Sequence, residues 1–273
     1  STQVDPSEPG ELLLQADNLN YQTRDPFGTS LQDICMSLRA GEIVGIAGVA
    51  GNGQDELLRA LSGEARVSNR SLQLNGMSIG DTGPAIRRNL GVAVVPEERL
   101  GRGAVPSMSL VDNSLLTAYG QGLTSKGWVG LNKVREYASR VVEQFGVRTA
   151  SIDSAATSLS GGNLQKFIIG REALQQPKLL VASHPTWGVD VGSAVAIHEA
   201  LVKLRDEGAA VLLISEDLDE LFQLCGRMGA ICAGKLSPLV PTGDLTIEKL
   251  GQWMAGDFPA ATTINTETKH AVA

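Results

Sequence analysis

Eight consecutive residues, Gly48-Val49-Ala50-Gly51-Asn52-Gly53-Gln54-Asp55, carry the first chemistry legible in this sequence. Gly48, Gly51 and Gly53 have the spacing of a phosphate-binding loop, G-x-x-x-x-G-K-[ST]. Such glycines let backbone N–H groups converge on a phosphate, and the N-terminus of the following helix adds partial positive charge. Gln54 stands where the lysine is expected, and Asp55 where the hydroxyl residue is expected. On its own, the segment reads as a structural glycine turn.

A second run, Leu159-Ser160-Gly161-Gly162-Asn163-Leu164-Gln165-Lys166, offers a hydroxyl, backbone amides and a helix N-terminus to a γ-phosphate. A bare Ser-Gly-Gly would be an ordinary helix cap. The whole run, at its distance from the glycine loop, resembles the signature motif of ATP-binding-cassette (ABC) ATPases. Further motifs follow in that family's order. Leu179 to Thr186 resembles the Walker B strand, with Ser183 and His184 where the family has Asp and Glu. Gly188-Val189-Asp190 resembles the D-loop, and Leu212 to Asp217 the switch strand, with Glu216 in the usual histidine slot. Glu97 holds the approximate Q-loop position, and Tyr21 lies where an adenine-stacking aromatic is commonly found. The resemblance covers about Leu12 to Lys235.

The resemblance implies an α/β P-loop NTPase core, a parallel sheet flanked by helices. To this it adds an N-terminal antiparallel β section and an α-helical insertion at about 106–175. It also implies ATP and Mg²⁺ as cofactors. The nucleotide would be bound by Tyr21, Gly48, Gly51, Gly53, Gln54, Asp55 and Glu97. The signature would be formed by Ser160, Gly161, Gly162, Asn163 and Gln165, and the D-loop by Asp190. Such cassettes work as head-to-tail dimers, each ATP lying between one P-loop and the opposing signature. The implied partners are a second cassette, on the same full-length chain or as a homodimer, and transmembrane permease subunits. A solute-binding protein would take part indirectly, and the location would be the cytoplasmic side of a membrane. Val95-Pro96-Glu97-Glu98-Arg99, with G-N-G-Q in the loop, is similar to the second half of tandem ATPases serving ribose, galactose or nucleoside importers.

The departures from the family pattern have an electrostatic consequence. Asp55, Glu97 and Glu216 place three carboxylates around the phosphate site, with no lysine in the loop. A unit charge about 4 Å from a phosphate is worth up to ~4 kcal/mol at an effective dielectric near 20. Asp55 and Glu56 also fall in the first helical turn, where carboxylates satisfy the dipole a phosphate would use. Ser183 offers little to Mg²⁺. His184 could act as a base only in an incomplete site. Weak or absent binding at this chain's own site is expected, with the signature lent to a partner's intact P-loop. Two alternatives stay open: an interaction module of the same fold that binds no nucleotide, and a non-transport ABC ATPase.

The elements that must position these residues follow from apolar runs and breakers. Leu12–Gln15, Leu31–Met36, Glu42–Ala47, Val92–Val95, Leu179–Ala182 and Ala210–Ile214 read as strands. Helices are expected over Asp55–Leu61, from an Asn132 cap to Gln144, from after Ser160 towards Gln175, and over Ser193–Glu207. Ser1–Gly10, polar with two prolines, reads as a linker or the cut end of a longer protein, 11–257 as the cassette, and 258–273 as a loose tail.

Composition narrows the function classes. The net charge of −7 over 273 residues argues against non-specific DNA binding, so no nucleic-acid partner is expected. Cys35, Cys225 and Cys232 show no CxxC spacing and read as reduced thiols. Apolar runs such as Val211–Ile214 are strand-sized, so membrane work would need other subunits. Three scattered histidines make no metal site, and His198, mid-helix, reads as a surface residue. Arg99 and Arg102 could compensate the acids near the phosphate site, but by default read as solvated loop residues. Trp187 reads equally as a partner contact or as packing.

Overall fold

Four runs dominated by Val, Ile, Leu and Ala carry apolar residues at consecutive rather than alternate positions, the pattern of strands covered on both faces, and a fifth segment, Arg227–Cys232, joins them. In the computed structural model, which describes residues 10–125 and 127–259, these five form one parallel array. The linker reading of Ser1–Pro9 and the tail reading of 260–273 lie outside the described residues.

The first elements are β1 (Leu12–Tyr21), β2 (Leu31–Arg39), β3 (Ile43–Ala47), α1 (Gln54–Ser62), β4 (Leu72–Leu74), β5 (Met77–Ser78), α2 (Pro84–Asn89) and β6 (Val92–Val95). Next come α3 (Leu110–Ala118), the small hairpin β7 (Thr124–Ser125) and β8 (Trp128–Val129), α4 (Leu131–Gln144) and α5 (Gly161–Ala173). Then follow β9 (Leu179–Ser183), α6 (Val191–Asp206), β10 (Ala210–Ser215), α7 (Leu218–Leu224) and β11 (Arg227–Cys232). The last described elements are β12 (Lys235–Leu236), β13 (Val240–Pro241) and α8 (Ile247–Met254).

The main sheet has the order β12-β11-β3-β10-β9-β6, with β13 on β11. Its central strands are parallel, and β12 and β13 add antiparallel edges. An antiparallel sheet, β2-β1-β4-β5, lies against one face. Val44, Ile46, Val181, Leu212 and Ile214 pack there with Leu57, Leu58 and Leu61 of α1 and with Leu14 and Ile34 of the second sheet. Ile43, Leu180, Val211 and Leu213 face the other way, into a core shared with Phe167 of α5, Leu201 of α6 and Val141 of α4. Each such fully buried side chain contributes roughly 1.5–3 kcal/mol.

Several element bounds differ from expectation for identifiable reasons. Strand β1 runs to Tyr21 because irregular register around Asn18, at φ 46°, interrupts its alternation without ending it. Helix α4 starts after Gly130 rather than from an Asn132 cap, and ends where Gly146 takes φ 57°. Helix α6 begins two residues before Ser193, because Asp190 is its cap.

The parallel array fixes the site. Ala47, Ser183 and Ser215 end adjacent strands in register, since Ser215 pairs with Ala47 and Ile214 with Ser183. Val95 ends β6 opposite Ala182. Gly48, His184, Glu216 and Glu97 therefore leave the carboxyl edge of one sheet together, the place where open α/β sheets bind ligands.

Candidate nucleotide site and signature face

The glycine loop turns into α1 through Gly51 at φ 84° and Gly53 at φ 108°, a left-handed backbone that glycine adopts without strain. Gln54, buried, folds back across the loop instead of reaching outwards. Its Oε1 accepts from the Asn52 amide at 2.9 Å, and its Nε2 donates to the Val49 carbonyl at 2.7 Å. Asn52 Nδ2 donates to the same carbonyl at 2.8 Å. An amide that would face a phosphate is thus consumed by the side chain in the lysine position.

Asp55 accepts from Arg59 Nε at 2.6 Å and pairs with Arg102, which also reaches Glu64 at 3.0 Å. Burial would lower the Arg102 pKa, but Asp55 and Glu64 outweigh it and raise it. Arg102 therefore compensates Asp55 of α1 and Glu64 just after it, and is not a free solvated residue. Glu56 Oε1 accepts from the Thr29 amide at 2.9 Å, which ties α1 to the loop between β1 and β2. Tyr21 lies opposite Leu31, whose side chain sits 3.2 Å from where a β-carbon on Gly53 would be, so that sheet edge abuts the loop.

Across the strand ends, His184 is buried and left-handed at φ 47°. Its Nδ1 lies 3.1 Å from Ser183 Oγ and 3.3 Å from Glu97 Oε2. With Val49, Trp187, Ser215 and Glu216 it lines an open cleft of about 520 Å³. The residues present do not fit MgATP here. The lysine is missing and Gln54 fills the cradle. Asp55 is committed to two arginines, and Ser183 is turned to His184. Among the described residues, no group of three His, Cys, Asp or Glu side chains is placed to hold a metal ion.

The signature is built differently. Ser160 is exposed and caps α5, its Oγ accepting from the Asn163 amide at 3.4 Å and from Asn163 Nδ2 at 2.9 Å. Asn163 Oδ1 accepts from the Arg148 amide, so Asn163 orients Ser160 from within this chain. Gln165 is fully buried, accepting from Arg99 Nε at 3.2 Å, and so does not itself face outwards. Gly162 sits in a crowded place: an added β-carbon would lie 2.5 Å from Ser193 Oγ and 2.7 Å from Asp190 Oδ2, so these side chains would have to shift. Asp190 caps α6 through Ser193, with bonds of 2.9 and 2.7 Å that lower its pKa.

The loop after β6 joins these parts. Glu97 meets His184, Arg99 meets Gln165, and Arg102 meets Asp55. Buried Arg171 anchors that loop from α5, donating to the Gly103 carbonyl at 2.8 Å and to the Asn113 carbonyl at 3.1 Å.

A cluster absent from the sequence reading centres on Glu220 of α7. It accepts from Thr186 at 2.6 Å and Ser215 at 2.9 Å, and meets His198 Nε2 at 2.9 Å. Burial would raise the Glu220 pKa, but these hydrogen bonds hold it below the ordinary carboxylate range. His198 is accordingly a largely buried link between α6 and α7, not a surface residue. Its position on the inward side of α6 was the only available signal, and its partner lies 22 residues away. Trp187 is exposed.

A family model described as "ABC transporter" matches residues 31–187, more than half of the chain. The chain belongs to the ABC transporter family. It is 38% identical over 251 residues to the nucleoside import ATP-binding protein NupA of Lactococcus lactis subsp. cremoris, covering 92% of this chain and 49% of that protein. It is 36% identical to the guanosine import ATP-binding protein NupO of Bacillus subtilis, covering 92% and 49%. To the ribose import ATP-binding protein RbsA 1 of Rubrobacter xylanophilus it is 34% identical, covering 89% and 48%. The chain spans about half the length of these curated relatives.

Among solved structures, the ATP-binding subunit of an ABC transporter aligns with a TM-score of 0.71 at 20% identity, covering 89% of this chain and 99% of that one. A dimeric ATP-binding cassette in a post-hydrolysis state with ADP and Pi aligns with a TM-score of 0.72 at 18% identity, covering 84% and 99%. At such identity these establish the cassette fold and nothing finer. The family uses ATP and Mg²⁺. Among the described residues, no helix is long and apolar enough to cross a membrane.

Proposed function

We propose that this chain is the degenerate cassette of an importer for nucleosides or simple sugars, lending its signature to a partner cassette with an intact P-loop. The observation that carries this reading is Gln54, whose side chain bonds both Asn52 N and Val49 O and so fills its own phosphate cradle. Asp55 held by Arg59 and Arg102 supports it, as does Ser183 turned to His184. The signature, by contrast, keeps Ser160 and Gly161 exposed at the start of a helix.

On this reading, residues 11–257 form the cassette, with a helical subdomain at about 106–175. Its partners are a second cassette, on the same full-length chain or as a second copy, and permease subunits at the cytoplasmic side of a membrane. Nucleoside and sugar as cargo rest on what the relatives' names say they import.

Two measurements test it. Calorimetric titration of the chain with MgATP should give no micromolar binding, and micromolar affinity would sink the impaired-site claim. With a partner cassette carrying an intact P-loop, Ser160→Arg here should abolish most of the shared ATPase rate. An unchanged rate would favour an interaction module whose signature is idle. Turnover by the purified chain alone, lost in His184→Ala, would show a catalytic site where none is proposed.

A further inference from the structure

We propose that Arg99 is a γ-phosphate-binding residue of the signature face, supplying a cation beside Ser160 and Gly161 to the ATP held by a partner's P-loop; this rests on the donor reading above. Arg99 is half-buried in the loop after β6. A β-carbon on Gly161 would lie 3.0 Å from its Nη1, so the guanidinium rests against the first residue of α5. That helix end carries the positive pole of the helix dipole, where a cation is repelled and an anion is attracted. No carboxylate offsets it: among the described residues Arg99 makes no ion pair, whereas Arg102, three residues on, makes two.

Asp190, the acid that adjoins the signature at Gly162, is turned to the amide and hydroxyl of Ser193. Burial lowers the pKa of Arg99, with no acid to raise it. Gln165, fully buried, accepts from the guanidinium with its carbonyl, while its own Nε2 has no hydrogen-bond partner among the described residues. An unpaired, half-buried guanidinium and a 13-residue helix's amide terminus lie side by side. Together they form the charge complement of a terminal phosphoryl group.

The test uses this chain assembled with a cassette that carries an intact P-loop. Affinities for a non-hydrolysable ATP analogue and for ADP, with melting temperatures, are measured for the wild type, Arg99→Gln, Arg99→Lys and Ser160→Arg. Arg99→Gln should weaken the ATP analogue by about tenfold and leave ADP unchanged, because only the third phosphate reaches the signature. Arg99→Lys should recover part of the loss. The ratio of the two affinities stays readable even if a variant lowers thermal stability. Equal changes for both nucleotides, or none, while Ser160→Arg remains damaging, would overturn the role of Arg99 and leave the donor reading standing. No effect of Ser160→Arg would overturn the donor reading itself.

Discussion

Gln54 accepts a hydrogen bond from the Asn52 amide at 2.9 Å, closing with a neutral side chain the loop that a lysine would open to phosphate. The second bond, from Nε2 to Val49 O, makes the closure bidentate. Phosphate entry would have to break both bonds, and it would gain no cation in return.

Reopening the cradle therefore needs both charge changes. Gln54→Lys with Asp55→Ser restores the cation, frees the Asn52 amide and removes a carboxylate. MgATP affinity should rise by at least about tenfold, or ~1.4 kcal/mol, in calorimetry. Gln54→Lys alone should gain less, because Asp55 remains. An affinity unchanged in the double variant would mean that the loop, and not its side chains, excludes nucleotide.

Four of the five parallel strands were legible because they are apolar at nearly every position, and the motifs because their spacing follows the strand ends of one sheet; β11, interrupted by Arg227 and Gly229, was not among the runs read. What the sequence concealed was side-chain direction. Arg99 and Arg102 sit three residues apart in one loop, yet one turns to α5 and the other to α1. Local pattern could not separate them, since their partners lie 66 and 47 residues away. Gln165 looked like an outward signature residue until packing placed it inside the core. For the long-range pair His198–Glu220, the helix face of His198 was a weak signal and its partner, 22 residues away on another helix, left none.

Glu220 ties Thr186, just before the D-loop, to Ser215, just before Glu216. Glu220→Gln should destabilise the fold by about 1–3 kcal/mol near neutral pH, as the charge-assisted bonds are lost. The folded-state pKa lies below the ordinary 4.5, so the carboxylate's contribution is complete above that value. It is lost as pH falls through the depressed folded-state pKa. Urea unfolding of both proteins should therefore converge on the acid side of pH 4.5; a gap that widens on acidification would contradict the assignment.

Arg87 is fully buried and, among the described residues, makes no ion pair, donating instead to the carbonyls of Ala60, Leu61, Ile79 and Gly80. Burial pushes its pKa down to about 10, with Asp81 opposing. It thereby caps the end of α1, the helix that begins at Gln54. Arg87→Met should cost at least ~3 kcal/mol in denaturant unfolding, because several buried acceptors lose their donor together. A loss below about 0.5 kcal/mol would mean that water replaces the guanidinium.

The two signature glycines should respond differently to the same methyl group. At Gly162 the new β-carbon meets Asp190 and Ser193 at 2.7 and 2.5 Å, atoms fixed by the cap of α6. Gly162→Ala should cost about 1–3 kcal/mol by overpacking. Asp190→Ala should cost about 1 kcal/mol by loss of the cap. The double variant should cost less than the sum by at least ~0.5 kcal/mol, because removing the carboxylate relieves part of the clash. At Gly161 the neighbour is the end of the Arg99 side chain, which can swing away. Gly161→Ala should therefore stay within about 0.5 kcal/mol of the wild type in stability. Strict additivity at Gly162, or a large loss at Gly161, would mean that the signature is not held against the D-loop as described.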